Sequence, residues 1–340
     1  MGKVLVIKMS ALGDVVRTTP HIEAVARHHE GDSVFLLTER LHAGLFAQHP
    51  KISTKIIDRS RLFGPESKRG VSAWIGAESF DAIYDFQGNR TSRDLVKRSG
   101  ARLTVGPHPG SVYMRHPPRG YSYTDDFLVN FIDFMDHILA AGGIGPAEPL
   151  TFFHVSEAEA RAVKEFRKEK GLSEGSYALI HAGSAADFPS KRWPLESFRA
   201  LSGKIEAAGL RAVFMGGPDD REISAELAKS AGIDATALFP PIGVYELAKT
   251  ARFAVTADSG PMYLSAAAGI PVFAFFGPTS GIRAHAQGQA GRVLGNPVPC
   301  GPCFRKRCPK KFGHACLDGI SPEAVFAKIK SEGLLQAKSV

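Results

Sequence analysis

Short apolar runs alternating with amphipathic stretches of helical length constrain this chain more than any other feature. Runs at residues 4–7, 34–37, 56–57, 82–85 and 103–106 read as strands, with helical stretches between several of them. Alternation of this kind builds a parallel sheet, because each parallel pairing needs a crossover long enough to hold a helix. The cluster Gly142-Gly143-Ile144-Gly145-Pro146 interrupts the pattern, and after Thr151-Phe152-Phe153 a charged helix, residues 156–170, begins. A second set of strands follows at residues 177–181, 211–215, 253–256 and 271–275, with a helix expected at residues 262–268. At 340 residues the chain exceeds the roughly 100–200 of one domain. The expected architecture is therefore α/β with two similar halves and a cleft between them: residues 1–150, residues 151–320, and a C-terminal helix within 321–340. Pro322 stands at a favourable first-turn position of that helix, which is expected to pack back on the first domain.

The turn after the first strand reads Ser10-Ala11-Leu12-Gly13-Asp14 and opens a helical stretch. Open parallel sheets bind ligands beyond the carboxyl ends of their strands, so Asp14 is placed beside such a crevice. Two roles suit a carboxylate there. It can act as a general base, or it can complement the helix dipole, a contribution of roughly 0.3–1 kcal/mol. The same dipole limits its basicity, so it works best where proton transfer comes late in bond formation.

Composition narrows the partners. The net charge of +8 calls for an anionic one: nucleotide, phosphorylated sugar, membrane surface or nucleic acid. Between residues 85 and 120, Arg90, Arg93, Lys97, Arg98, Arg102, Arg115 and Arg119 face only Asp85 and Asp94, an excess of +5. This segment is either a solvated face or a docking surface for an acidic acceptor on anionic lipid. Nucleic-acid binding would need aromatic platforms interleaved with the basic residues, and Tyr113, Tyr121 and Tyr123 do not alternate with them. The longest strongly apolar stretch, residues 270–276, is far short of the ~20 residues that cross a bilayer. Lys3 and Lys8 bracket only four apolar residues, and no small-residue cleavage site follows, so no secretory signal is expected and the chain is placed in the cytoplasm.

Three strand-to-helix turns of the second half offer anion-binding chemistry. Residues 253–256 lead into Ala257-Asp258-Ser259-Gly260-Pro261, small residues that open a helix and expose backbone N–H groups to a diphosphate; plain capping by Asp258 or Ser259 is the alternative. His181 leads into Ala182-Gly183-Ser184, and Lys191-Arg192-Trp193-Pro194 follows shortly, two cations for phosphate oxygens. Met215 leads into Gly216-Gly217-Pro218-Asp219-Asp220-Arg221-Glu222, where Asp219 or Glu222 can accept hydrogen bonds from ribose hydroxyls. No G-x-G-x-x-G follows a strand and no P-loop or H-E-x-x-H occurs, which argues against dinucleotide oxidoreductases and P-loop NTPases. A metal-holding D-x-D is also missing, so protein groups are expected to carry the diphosphate charge.

Taken in order, V-L-V-I-K-M-S-A-L-G-D-V-V-R-T-T-P, H-A-G-S with K-R-W-P, M-G-G-P-D-D-R-E, and T-A-D-S-G-P-M-Y-L-S-A-A-A-G-I-P-V with F-G-P-T-S closely resemble the ADP-heptose:lipopolysaccharide heptosyltransferases, glycosyltransferase family 9. The resemblance covers nearly the whole chain. It implies a GT-B fold: two Rossmann-like domains, parallel sheets facing across a cleft, acceptor on the first and nucleotide-sugar on the second. It also implies an inverting, metal-independent transfer of a heptose from ADP-heptose to the inner core of lipopolysaccharide, a lipid-linked acceptor at the inner membrane surface. The family's catalytic Asp falls on Asp14, its phosphate-contacting Lys on Lys191, its donor loop on Asp258, Ser259 and Gly260, and a ribose or base contact on Glu222. Ser10, Gly13, Ser184, Arg192 and Pro261 complete the candidate binding set. Neither a catalytic metal nor a nucleic-acid partner is implied. Tyr263 stands where relatives of the D-S-G-P-x-H-L type carry His; it keeps a hydrogen-bonding tip without the cation, or it packs the helix on the sheet.

All the cysteine lies in one segment, Cys300-x2-Cys303-x4-Cys308-x7-Cys316, among Arg305, Lys306, Arg307, Lys310 and Lys311. Four thiols so spaced can close tetrahedrally on a structural zinc ion, although the irregular spacing favours free thiols and a reducing compartment disfavours disulfides.

Overall fold

The computed structural model describes residues 1–118, 128–149 and 152–335. Arg119, Tyr121, Tyr123 and Thr151 lie outside the described residues. The chain divides into two compact units, Met1–His154 and Val155–Val340.

In the first unit β1 (Lys3–Ile7), α1 (Leu12–His28), β2 (Ser33–Thr38), α2 (Arg40–Ala43), β3 (Ile52–Ile56), α3 (Lys68–Glu78), β4 (Ala82–Asp85), α4 (Arg90–Lys97), β5 (Leu103–Val105) and α5 (Phe131–Ala141) follow one another. Their strands form a parallel sheet in the order β3-β2-β1-β4-β5. Residues 4–7 of β1 are buried throughout, as a strand covered by helices on both faces must be. Leu5, Ile7, Ile83, Leu95 and Phe80 pack on one side of it.

The second unit runs α6 (Glu157–Glu169), β6 (Tyr177–His181), α7 (Leu195–Ala207), β7 (Arg211–Phe214), α8 (Arg221–Ala228), β8 (Ile233–Asp234), α9 (Pro241–Ala248), β9 (Phe253–Ala257), α10 (Gly260–Ala267), β10 (Val272–Phe275), α11 (Gly281–Ala284), β11 (Val293–Leu294), α12 (Ala315–Asp318) and α13 (Pro322–Ser331). Its parallel sheet has the order β11-β10-β9-β6-β7-β8. Trp193 stacks on Phe275 at 4.4 Å and turns an edge to Phe198, so the chain after Lys191-Arg192 is clamped to the core. α13 packs on α7 of its own unit, with Val325 and Ile329 buried in the same cluster as Leu201 and Ile205.

Strand order reverses between β1 and β4 in one sheet and between β6 and β9 in the other. Each reversal leaves a crevice at the carboxyl ends of the two strands, because their helices depart to opposite faces. Asp14 follows β1, whereas His181 ends β6 and Asp258 follows β9.

Candidate active site

In the first unit the α1 N-cap is Ala11, whose side chain cannot cap, and Asp14 sits in the first helical turn. Its Oδ1 accepts from Arg17 Nη2 at 2.6 Å. The Arg17 guanidinium lies 3.6 Å from the Phe131 ring centroid, so one cation is shared between a carboxylate and an aromatic face. Lys8, buried at the end of β1, donates to the Phe86 carbonyl at 3.3 Å and stands 5.2 Å from the same ring. Burial pulls the Lys8 ammonium down to about 8, with the nearby Asp14 charge opposing that fall. Ser10 and Met9 give their N–H groups to Gln87 Oε1, and the Ser10 hydroxyl accepts from Arg59. Gly13 is buried within α1. On the neighbouring strand, Asp85 is fully buried and accepts from Gln87 N, Gly88 N and the Tyr113 hydroxyl; burial still raises its carboxyl above the usual range.

The basic segment is only partly free of partners. Arg90, Arg93 and Lys97 ride on α4, where Asp94 pairs with Lys68 at 2.7 Å, and Arg102 approaches Asp81 at 3.4 Å. No helix of the described residues is long and apolar enough to cross a membrane.

In the second unit the predicted donor residues converge. Lys191 Nζ is 2.8 Å from Asp258 Oδ2 and donates to the Asp258 carbonyl at 3.2 Å. Thr279 donates to the same Oδ2 at 2.8 Å. Asp258 is thus a buried anchor that holds the lysine at the turn rather than a free acid. Arg192 Nε donates to the Ser184 hydroxyl at 3.1 Å, joining the β6 turn to the same cluster. Ser259 occupies the N-cap position of α10, but its side chain makes no capping bond; it lies 2.9 Å from His181 Nδ1. The alternative of plain capping by this hydroxyl therefore does not describe it. Gly260 and Pro261 form the first turn of α10.

Glu222 is exposed on the first turn of α8, and it is Asp220 from the same loop that reaches the β6 turn. Asp220 Oδ2 is 3.2 Å from His181 Nε2 and accepts from Gly217 N at 2.9 Å. Burial raises the Asp220 carboxyl, but the bonds from His181 and Gly217 outweigh it and hold the group below the usual carboxylate range. Tyr263 is buried and donates to the Ala284 carbonyl at 2.6 Å, so its hydroxyl ties α10 to α11.

Sequence reasoning passes over Lys8, His181, Asp220 and Thr279 as site side chains. For Lys8 a signal existed, a lone lysine ending an apolar strand; for the others the partner is 21 to 39 residues away and invisible locally.

None of the four cysteines is disulfide-bonded, and all four line one pocket with Ser190, Gly277 and His314. Among the described residues no three His, Cys, Asp or Glu side chains are grouped to hold a metal ion. Burial, with the neighbouring Cys308, Cys303 and Cys300, pushes the Cys316 thiol up to about 11. The loop also backs the lysine: Ser190 donates to the Arg305 carbonyl at 2.5 Å, and His314 Nε2 is 2.7 Å from the Ser190 carbonyl oxygen.

Two parallel-sheet α/β units, each with a switch point between its central strands, define the GT-B fold. A glycosyltransferase family 9 structure from Veillonella parvula superimposes with a TM-score of 0.79 at 22% identity, covering 98% of this chain and 97% of that one. The Escherichia coli heptosyltransferase WaaC with ADP-2-deoxy-2-fluoro heptose gives 0.68 at 20% identity, covering 97% and 99%. In sequence, lipopolysaccharide heptosyltransferase 1 of Pseudomonas aeruginosa is 26% identical over 362 residues, covering 97% of each chain. The profile of glycosyltransferase family 9 (heptosyltransferase) matches residues 73–314, more than half of the chain, and the chain belongs to that family.

Proposed function

We propose that this enzyme transfers a heptose from ADP-heptose to the inner core of lipopolysaccharide with inversion at the anomeric carbon. The observation that carries the reading is the cluster at the β6 and β9 ends: a lysine held by a buried Asp258, an arginine fixed on Ser184, and a helix opened by small residues. Displacing a nucleoside diphosphate builds negative charge on the leaving oxygens. Lys191, Arg192 and the α10 N-terminus offset that charge without reorganising, because Asp258, Thr279 and Ser184 already orient the cations. Ser259, Gly260 and Pro261 line the diphosphate, and Glu222 takes a ribose hydroxyl. These groups do the work of a divalent cation, so chelators leave turnover intact.

Asp14 takes the proton of the acceptor hydroxyl as that oxygen attacks the face opposite the diphosphate, with Ser10 and Gly13 shaping the turn that receives the acceptor. A base contributes typically ~10²–10⁴-fold. Arg17 holds the carboxylate in place. Basic residues on and near α4 hold the lipid-linked acceptor at the inner face of the cytoplasmic membrane. No cofactor enters this scheme, and the cysteines serve as packed free thiols behind Lys191.

Thermal stabilisation by ADP, UDP and GDP, followed by transfer assays on truncated lipid acceptors, tests the reading. ADP should stabilise most, and Asp14→Asn should abolish transfer with ADP affinity nearly unchanged. A preference for UDP overturns the donor; an active Asp14→Asn enzyme overturns the base.

A further inference from the structure

A buried carboxylate with one bare oxygen is costly to keep, and the second unit keeps one. Asp220 is 6% exposed; its Oδ2 serves His181 and Gly217, while Oδ1 is buried with no hydrogen-bond partner. Two glycines make room for it. A Cβ at residue 183 would lie 1.7 Å from Asp220 Oδ1, and one at residue 216 would lie 2.5 Å from Oδ2. The turns after β6 and β7 are thus both shaped around the pairing of one carboxylate with one imidazole.

The pairing determines what the other side of the ring does. His181 is 2% exposed, and with Nε2–H donating to Asp220 its Nδ1 is directed at Ser259 Oγ, 2.9 Å away. In a neutral ring Nδ1 accepts the serine hydrogen, and the hydroxyl shows only lone pairs to an incoming ligand. In a ring protonated on both nitrogens, Nδ1–H donates to Ser259 Oγ instead. The serine hydrogen is then released towards another acceptor, of which the Ala257 carbonyl, 3.2 Å away, is one within reach. An incoming anion favours the second state, because it gains both a donor and a nearby positive charge. The other ionisable groups around this ring are Asp220 itself, Arg192, close enough to act on Asp220, and the Lys191–Asp258 pair at the same turn.

We propose that His181, held by Asp220, is a positioning residue that takes up a proton when the donor's diphosphate binds and thereby turns the Ser259 hydroxyl to a phosphate oxygen. This rests on the reading of the Asp258–Pro261 turn as the diphosphate site.

The test is calorimetric titration of ADP into wild type, H181N, S259A, S259T, the S259A/H181N double variant and K191A, each in two buffers of different ionisation enthalpy. S259A and H181N should each weaken ADP by about tenfold, the scale of one hydrogen bond to a charged group. S259T should retain wild-type affinity, the double variant should be no weaker than either single one, and the proton uptake of wild type should fall in H181N. Additive losses, failure of S259T to rescue, or the same proton uptake in wild type and H181N would overturn the proposal. If K191A weakens ADP while S259A does not, the relay alone fails. If neither variant affects ADP, the diphosphate reading itself fails. Should H181N not fold, D220N, which removes the charge that holds the imidazolium, should lower the proton uptake in the same way, and unchanged uptake would overturn the proposal.

Discussion

Replacing Lys8 by Met should stabilise the first unit at neutral pH and lose that advantage in alkali. Lys8 is 2% exposed, and burial lowers its ammonium from 10.5 to about 8. Below pH 8 both the folded and unfolded chains hold the proton, and folding bears the whole cost of burying the charge. Between pH 8 and 10.5 the folded chain releases the proton while the unfolded chain keeps it, so stability rises with pH across that window. The gap corresponds to about 3 kcal/mol at roughly 1.4 kcal/mol per unit. Methionine fills the same space with a flexible apolar chain, so Lys8→Met should be more stable than wild type by up to about 3 kcal/mol at pH 7 and nearly equal at pH 10.5. Urea unfolding followed by Trp74 fluorescence measures this in a Trp193→Phe background, since the chain has two tryptophans and only Trp74 belongs to the first unit. The difference between the variants cancels every other group that titrates in that range. A difference that stays constant from pH 7 to 10.5 would refute the reasoning.

Three more outcomes follow from the same geometry. Lys191→Ala removes a cation held by Asp258 and should raise the ADP dissociation constant by on the order of 10- to 100-fold, read by calorimetry, with acceptor KM unchanged. Gly183→Ala drives a Cβ into the Asp220 carboxylate and should cost at least ~1–3 kcal/mol in denaturant unfolding of the second unit; an unperturbed variant would show that the carboxylate can move aside. Alkylation at pH 8, mapped by mass spectrometry, should modify exposed Cys300 first and Cys316 last, because burial pushes the latter thiol up to about 11 and leaves little thiolate; metal analysis of the same sample should find no stoichiometric zinc.

Much of the frame is legible without coordinates. The strands expected at residues 82–85 and 177–181 match β4 and β6 residue for residue, since a strand buried on both faces is a continuous apolar run. Edges fare worse. β8 and β11 have two residues each and lie outside the apolar runs; a pairing that short leaves no periodicity. The first compact unit runs to His154, where Phe153 packs on Phe46 and His154 on His49, contacts with no local signal. The C-terminal helix, expected on the first domain, has its buried face on α7.

The candidate site divides in the same way. Lys191, Arg192, Ser184, Asp258 and Ser259 stand out in the sequence because glycines, small residues and cations cluster after apolar strands, and parallel topology then puts those turns at one edge of a sheet. Their roles are another matter. Asp258 turns out to hold Lys191, and Ser259 to meet His181 instead of capping its helix. Gly183 and Gly216 look like ordinary turn glycines until the Asp220 carboxylate is seen to occupy the space of their missing side chains. Local chemistry and periodicity determine which turns exist and what functional groups they carry. Which group pairs with which depends on strand order and close packing across dozens of residues, and only the folded chain settles that.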